Sequence, residues 1–251
     1  MVHLPPLPGS PGFDGDFRRV VDAARRDAAT LAGAGFDAVM VENFGDVPFF
    51  PGRVPAQTIA AMTLAVARVK DEVGALPIGV NVLRNDARGA LAVAAATDAR
   101  FIRVNVLVGA RVTDQGVIEG DAANVMRDRA RLSDKVRVWA DVDVKHSAPL
   151  AARPMEEEVA DTLARGLADA IIVSGSGTGR PTSPDDVKQV RAAAPAGTPI
   201  LVGSGATLES LADFAKHCDG LIVGTALKPP GSPREPVEAE LARAFVERLG
   251  D

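Results

Sequence analysis

The length, composition and charge of the chain exclude several classes of protein. It has 251 residues, of which 47% are hydrophobic and 24% are charged, as in folded globular proteins rather than disordered or membrane proteins. The net charge is −5, aromatic residues make up 4% and tyrosine is absent, which argues against a nucleic-acid partner. The sequence has no apolar run of the roughly 20 residues that a membrane span needs, and its single cysteine, Cys218, precludes an internal disulfide. We therefore expect a cytoplasmic protein with no membrane partner.

Short apolar segments rich in β-branched residues alternate with helix-like segments along the chain. The predicted strands cover residues 37–42, 77–83, 101–106, 136–143, 169–174, 199–203 and 219–224, with a short first strand at 1–4. The predicted helices cover residues 16–34, 55–73, 86–97, 121–132, 155–167, 184–194, 208–216 and 236–249. Long helical crossovers require parallel neighbouring strands.

This pattern predicts an α/β fold, a single (β/α)8 TIM barrel that spans residues 1–251 and has a short first strand. An open doubly wound sheet is the alternative. No glycine-rich dinucleotide fingerprint follows the first strand, which favours the closed barrel.

Polar residues follow several of the predicted strands, and in such a barrel the ends of all the strands meet at one face. Asp141, Asp143 and Lys145 alternate along one strand, so we expect them on the same side and assign them, with Glu42, to proton transfer. An internal ion pair that only fills the barrel is the alternative. The residues expected to contact substrate are His3, Asn81, Asn105, His146 and Ser174.

Glycine-rich segments follow the last three predicted strands. Gly203, Ser204 and Gly205 follow the seventh strand, and Gly224 and Thr225 follow the eighth, where barrels of this kind cradle a phosphate with backbone N–H groups. In the loop after the sixth strand, Gly175 and Gly177 are further candidates for phosphate binding. The alternative is that these glycines only form tight turns.

No compact metal-binding motif such as H-x-x-x-H is present, so we predict no metal site and no cofactor. His3, Glu42 and Asp141 would be the ligands if a divalent cation bound. The loop at residues 44–51 holds three of the nine phenylalanines, which suits a lid over a ligand or a subunit interface.

Several of these segments together resemble the BtpA/SgcQ family. The segments that carry the resemblance are residues 3–10 (HLPPLPGS), 42–48 (ENFGDVP), 81–86 (NVLRND), 103–105 (RVN), 113–120 (TDQGVIEG), 141–146 (DVDVKH), 203–205 (GSG) and 223–225 (VGT). Family members usually begin with several more apolar residues, so the first strand here looks shortened. The resemblance implies a ribulose-phosphate-binding type of barrel.

Two hypotheses about function follow. The first is an enzyme that binds a phosphorylated sugar or nucleoside and acts on it as an isomerase, a lyase or a nucleosidase. The second, which the resemblance supplies, is a non-catalytic assembly or stability factor of the kind that supports photosystem I biogenesis. Homo-oligomerisation is compatible with both.

Overall fold

The computed structural model of the chain describes residues 1–144, 146–175, 182–229 and 232–250. Its main sheet has eight parallel strands in the order β1-β2-β3-β4-β7-β9-β10-β11. They are β1 (Val2–His3), β2 (Val39–Glu42), β3 (Ile78–Asn81), β4 (Phe101–Val104), β7 (Arg137–Val142), β9 (Ala170–Val173), β10 (Ile200–Val202) and β11 (Gly220–Leu221). The predicted parallel α/β barrel with a short first strand is confirmed.

The two ends of this sheet meet without forming a ladder. Seven pairings join the eight strands from β1 to β11. The Met1 ammonium group donates a 2.7 Å hydrogen bond to the Val223 carbonyl, just beyond β11. Among the described residues, the edge strands β1 and β11 therefore do not pair with each other, and the Met1 hydrogen bond links the two edges of the curled sheet.

Helices follow the strands and cover the outside of the sheet. They are α1 (Phe17–Ala34), α2 (Ala56–Val73), α3 (Ala87–Thr97), α4 (Ala122–Leu132), α5 (Met155–Ala160), α6 (Pro184–Ala193), α7 (Leu211–Ala215) and α8 (Ala239–Gly250). A π-helical turn, Asp161–Arg165, continues α5. Ser183 and Asp186 form the predicted capping box of α6, which satisfies backbone donors of the first turn.

The last helix begins three residues later than the sequence pattern indicates. Val237 donates its backbone N–H to the Asp27 carboxylate (3.1 Å), and Glu238 donates to the Leu227 carbonyl (2.9 Å). These bonds tie the chain to α1 and to the segment after β11. They hold it in a non-helical path up to Ala239.

A second sheet, not predicted from the sequence, lies beside the barrel. It is antiparallel, with the order β6-β5-β8, and consists of β5 (Ala110–Thr113), β6 (Gly116–Glu119) and β8 (Ser147–Pro149). Gly116 has φ 102°, a conformation that a glycine adopts without strain, and it allows the tight turn between β5 and β6. This sheet extends the loops after β4 and β7, so it stands at the same end of the barrel as the predicted site.

Apolar side chains fill the opposite end of the barrel. Met1, Met40 and Phe101 form a buried cluster there, and the Phe101 ring stacks on Trp139 with centroids 3.8 Å apart. Gly79 has no Cβ and leaves room for the Phe101 ring. The polar groups are therefore concentrated at the carboxyl ends of the strands. No helix of the described residues is long and apolar enough to cross a membrane.

Candidate active site

Three predicted site residues lie side by side at the carboxyl ends of the first three strands. In the parallel register, His3 pairs with Glu42 and Glu42 pairs with Asn81. His3 Nε2 is 3.8 Å from Glu42 Oε1. Glu42 and Asn81 are buried. The strand register thus forms a polar row across β1, β2 and β3.

The adjoining strands contribute a buried ion pair centred on Asp141. Arg103 donates from Nε and a terminal nitrogen to the two Asp141 carboxylate oxygens, at 2.9 and 2.8 Å. Asn105 Nδ2 and Ser174 Oγ donate to the same carboxylate at 3.2 and 2.6 Å. The Asp141 side chain has no exposed surface. With four donors around it, this carboxylate is suited to holding Arg103 in place.

Asn81 links the row to the ion pair. Its Nδ2 donates to the Arg103 carbonyl (3.0 Å) and to Asn105 Oδ1 (3.2 Å). Its Oδ1 is buried and has no hydrogen-bond partner among the described residues. Because an unpaired buried acceptor is costly, this oxygen is available to a donor on a ligand.

The environment of Glu42 favours the protonated form of its carboxyl group. Burial raises its pKa, against the opposing fields of Arg103, Arg84 and the Met1 ammonium group. A raised pKa brings a buried carboxyl group closer to the pH at which it can give and take a proton. Glu42 therefore has the properties expected of a general acid or base.

His3 is held in one orientation beside Glu42. Its Nδ1 is 3.0 Å from the Pro233 carbonyl, which requires the proton on Nδ1 and leaves Nε2 as an acceptor. Burial lowers the pKa of His3 from 6.5 to about 3, and the Pro233 hydrogen bond opposes this only partly. The His3 ring stacks on Phe44 with centroids 4.3 Å apart. His3 is thus a neutral imidazole at physiological pH.

Asp143 does not lie beside Asp141 as strict strand alternation predicts. Strand β7 ends at Val142, and Asp143 has φ 49°, in the left-handed region. Its carboxylate forms an ion pair with Arg111 of β5, and Arg111 Nε also donates to Ser147 Oγ (2.6 Å). Asp143 therefore fastens the antiparallel sheet to the barrel end. Lys145 lies outside the described residues.

The glycine segments occupy the expected places after the strands. Gly203, Ser204, Gly205, Gly224 and Thr225 follow β10 and β11 and are accessible to solvent to different degrees. A Cβ on Gly203 would overlap the Ile172 side chain and would lie close to the Arg103 guanidinium. The loop after β10 therefore passes over that guanidinium. Gly175 has φ 89° and is buried, and Gly177 lies outside the described residues.

Two functional candidates, Arg103 and Arg84, are missed by the sequence prediction. Arg103 belongs to the segment 103–105 that carries the family resemblance, and it lies on β4 two residues before Asn105, which follows the strand. Asn43 accepts a hydrogen bond from the Leu83 N–H (2.7 Å) and so fixes the segment that carries Arg84. Burial lowers the pKa of Arg84, and its guanidinium interacts electrostatically with Asp141, Arg103 and Glu42. The signal for Arg84 in the sequence was its place directly after the third strand.

The three residues named as ligands for a divalent cation do not form a set. Arg103 and its neighbours occupy the Asp141 carboxylate, whereas Glu42 faces His3. Within the described ranges, His, Cys, Asp and Glu side chains form no group of three that could hold a metal ion.

This geometry defines a (β/α)8-barrel protein with a polar site at the carboxyl ends of its strands. The chain belongs to the BtpA family, whose profile matches residues 1–251. It is 49% identical over 247 residues to an uncharacterized protein of Thermococcus kodakarensis, covering 98% of this chain and 92% of the relative. It is 44% identical over 251 residues to the photosystem I biogenesis protein BtpA of Synechocystis, covering 100% of this chain and 87% of the relative.

A solved structure shows the same fold at low sequence identity. The N-(5'-phosphoribosyl)anthranilate isomerase of Pyrococcus furiosus superposes with a TM-score of 0.56 and 15% identity, covering 89% of this chain and 92% of the isomerase. This likeness supports the barrel architecture alone.

Proposed function

We propose that the protein is an enzyme that acts on a phosphorylated sugar or nucleoside by proton transfer through Glu42. The observation that carries this proposal is the polar row of His3, Glu42 and Asn81 at the carboxyl ends of the barrel strands, where barrel enzymes place their active sites. Glu42 and Asn81 are buried, and burial raises the pKa of Glu42. Isomerisation, carbon–carbon bond cleavage and glycosidic hydrolysis all need a proton donor or acceptor of this kind.

Asp141 has a supporting role in this proposal. Its carboxylate pairs with Arg103 and accepts four hydrogen bonds, so it is suited to hold that guanidinium in place. Arg103 in turn places a fixed positive charge near Glu42. Of the four residues that the sequence assigns to proton transfer, Asp141, Asp143, Lys145 and Glu42, this proposal gives the role to Glu42.

Asn81 and His3 would orient the substrate. The unpaired Asn81 Oδ1 can accept a hydrogen bond from a sugar hydroxyl, and it lies beside Glu42 in the register. His3 Nε2, an acceptor on the other side of Glu42, can receive a second one. Two acceptors flanking a carboxyl group suit a polyhydroxylated substrate.

The phosphate of the substrate would lie at Gly203, Ser204, Gly205, Gly224 and Thr225. These residues follow two adjacent strands, and the glycines permit close approach of a ligand to the backbone.

The relative from Synechocystis carries a photosystem I biogenesis name. A purely structural role of that kind gives no reason for the buried row of His3, Glu42 and Asn81.

The phosphate part of the proposal is tested by thermal unfolding of the protein with inorganic phosphate and a series of sugar phosphates, because a ligand of the native state raises Tm. Ser204→Asp places a negative charge in the cradle, and Gln189→Glu, on the exposed face of α6, is the matched charge control. We expect at least one compound to raise Tm in the wild type and the control but not in Ser204→Asp. An equal rise in all three proteins would refute a phosphate site in these loops.

A further inference from the structure

A cavity opens beside the barrel mouth, between the antiparallel sheet and the loops after β2 and β3. Its volume is about 560 Å³, large enough for a small organic group. The lining residues are Phe49, Arg84, Val112, Thr113, Asp114, Gln115, His146, Ser147 and Ala148. His146 is one of the predicted substrate contacts, but the proposed function gives this cavity no role.

Arg84 stands between this cavity and the polar row. Its backbone N–H donates to the Phe50 carbonyl (3.0 Å), and Asn43 holds the preceding residue, so the side chain starts from a fixed position. It lines the cavity, and its guanidinium also interacts electrostatically with Glu42 and Asp141. A group bound at Arg84 would therefore belong to a ligand that extends from the barrel mouth.

The charge and hydrogen-bonding groups of the cavity match an organic oxyanion. Burial has already removed much of the water from Arg84, which lowers its pKa, and a planar guanidinium in such a place binds carboxylate or phosphate oxygens well. The acidic group in the lining, Asp114, accepts a hydrogen bond from Gln115 Nε2 (2.5 Å) and is exposed. Its charge acts on the Arg84 guanidinium, and its exposure to solvent weakens that effect.

The remaining wall fits the carbon skeleton and a hydroxyl group of such a ligand. Phe49, Val112 and Ala148 supply apolar surface, and Val112 pairs with Ala148 across the sheet. Gln115 Oε1 is buried without a hydrogen-bond partner among the residues described and can accept from a hydroxyl. Ser147 Oγ is already used by Arg111 and by the Val144 carbonyl.

We propose that Arg84 and this cavity bind a second oxyanion of the substrate, a carboxylate or a phosphate, so that the substrate carries an acidic group at each end. The first oxyanion is the phosphate at residues 203–205 and 224–225, and to that extent the inference rests on the proposed function. Glu42 would then transfer a proton on the part of the substrate between the two acidic groups, and Asn81 would orient that part.

The test compares Arg84→Met with Arg68→Met, a removal of an exposed arginine on α2. Tm is followed against increasing inorganic phosphate and, separately, malonate at constant ionic strength, and dissociation constants are derived from the shifts. We expect Arg84→Met to weaken binding of at least one probe by about ten- to hundredfold, whereas Arg68→Met leaves it unchanged. The probe affected identifies the oxyanion as carboxylate or phosphate.

A second variant keeps the test decisive if Arg84→Met does not fold. Gln115→Glu is nearly isosteric and adds a negative charge to the cavity, so it should weaken the same probe. Wild-type affinity for both probes in folded Arg84→Met or in Gln115→Glu would overturn the inference. If Ser204→Asp alone abolished phosphate binding, the proposed function would stand without the second site. Wild-type affinity for both probes in every variant would contradict both proposals.

Discussion

Arg103 on β4 and Asp141 on β7 form a two-pronged ion pair inside the barrel mouth, with hydrogen bonds of 2.9 and 2.8 Å. Both side chains are largely removed from solvent. Asn105 and Ser174 complete the shell of the carboxylate. The polar groups of the mouth thus fall into two parts, the ion pair centred on Asp141 and the row of His3, Glu42 and Asn81.

We expect Asp141→Asn to lower the free energy of unfolding by about 3–5 kcal/mol, because it leaves Arg103 buried without a counter-charge. Ser174→Ala removes one donor to the carboxylate and should cost about 1–3 kcal/mol. Asp71→Asn breaks the exposed pair with Arg68 and should cost less than about 1 kcal/mol. Urea unfolding at neutral pH measures all three, and equal losses for Asp141→Asn and Asp71→Asn would contradict the assigned role of the buried pair.

His3 should make the protein less stable as the pH falls. Its pKa is about 3 in the folded protein and 6.5 ordinarily, so between these values the unfolded chain binds more protons. The contribution of His3 is complete above pH 6.5 and is lost as the pH falls toward 3, with a slope of up to about 1.4 kcal/mol per pH unit. We expect His3→Gln to lower this slope in urea unfolding between pH 6.5 and 4. Parallel curves for the two proteins would show that His3 is not buried as a neutral ring.

The contribution of Glu42 to stability should depend on pH in the sense opposite to that of His3, and Glu42→Gln tests this. Burial raises the pKa of Glu42 above 4.5 in the folded protein, so its stabilising contribution is complete below pH 4.5 and is lost as the pH rises. Glutamine does not titrate. The variant should therefore gain stability relative to the wild type between pH 4.5 and 8, as measured by urea unfolding. A relative loss over the same range would mean that Glu42 is ionised and stabilised by Arg103.

Gly45→Ala should be strongly destabilising. A Cβ at this position would overlap the backbone of Pro5 and Pro6, where the loops after β1 and β2 cross, and the Gly45 N–H donates to the Leu4 carbonyl (2.9 Å). We expect a loss of at least about 2 kcal/mol. The control is Gly33→Ala in α1, whose Cβ would meet no atom within 4 Å and which should stabilise by about 0.4–1 kcal/mol. Similar melting temperatures for the two variants would exclude this close packing.

Most of the barrel could be predicted from the sequence because its signals are local. Strands such as β3 and β9 are buried along their whole length and appear as short apolar runs, and the cap of α6 lies within four residues. The antiparallel sheet was missed because β5 and β6 have one buried residue each and therefore lack the continuous apolar run of the barrel strands. The turn at Gly116 was the available signal, but β8 joins this sheet from a distant part of the chain.

The candidate site was predicted less completely, since it depends on contacts between distant residues. Glu42 and Asn81 were recognised as polar groups at strand ends, and the register places them side by side. The partner of Asp141 is Arg103, 38 residues earlier in the chain, and a single arginine in an apolar strand does not reveal its partner. The left-handed conformation of Asp143 has no signal that separates it from strand alternation.

The most direct test of the central claim, proton transfer by Glu42, is NMR of the protein in D2O with a panel of sugar phosphates and phosphorylated nucleosides. We expect the wild type to convert one compound or to exchange one of its carbon-bound protons with solvent. Glu42→Gln should still bind that compound but should slow the reaction by about 10²–10⁴-fold. Reaction at the wild-type rate in Glu42→Gln, or a wild type that leaves every compound unchanged, would contradict the account.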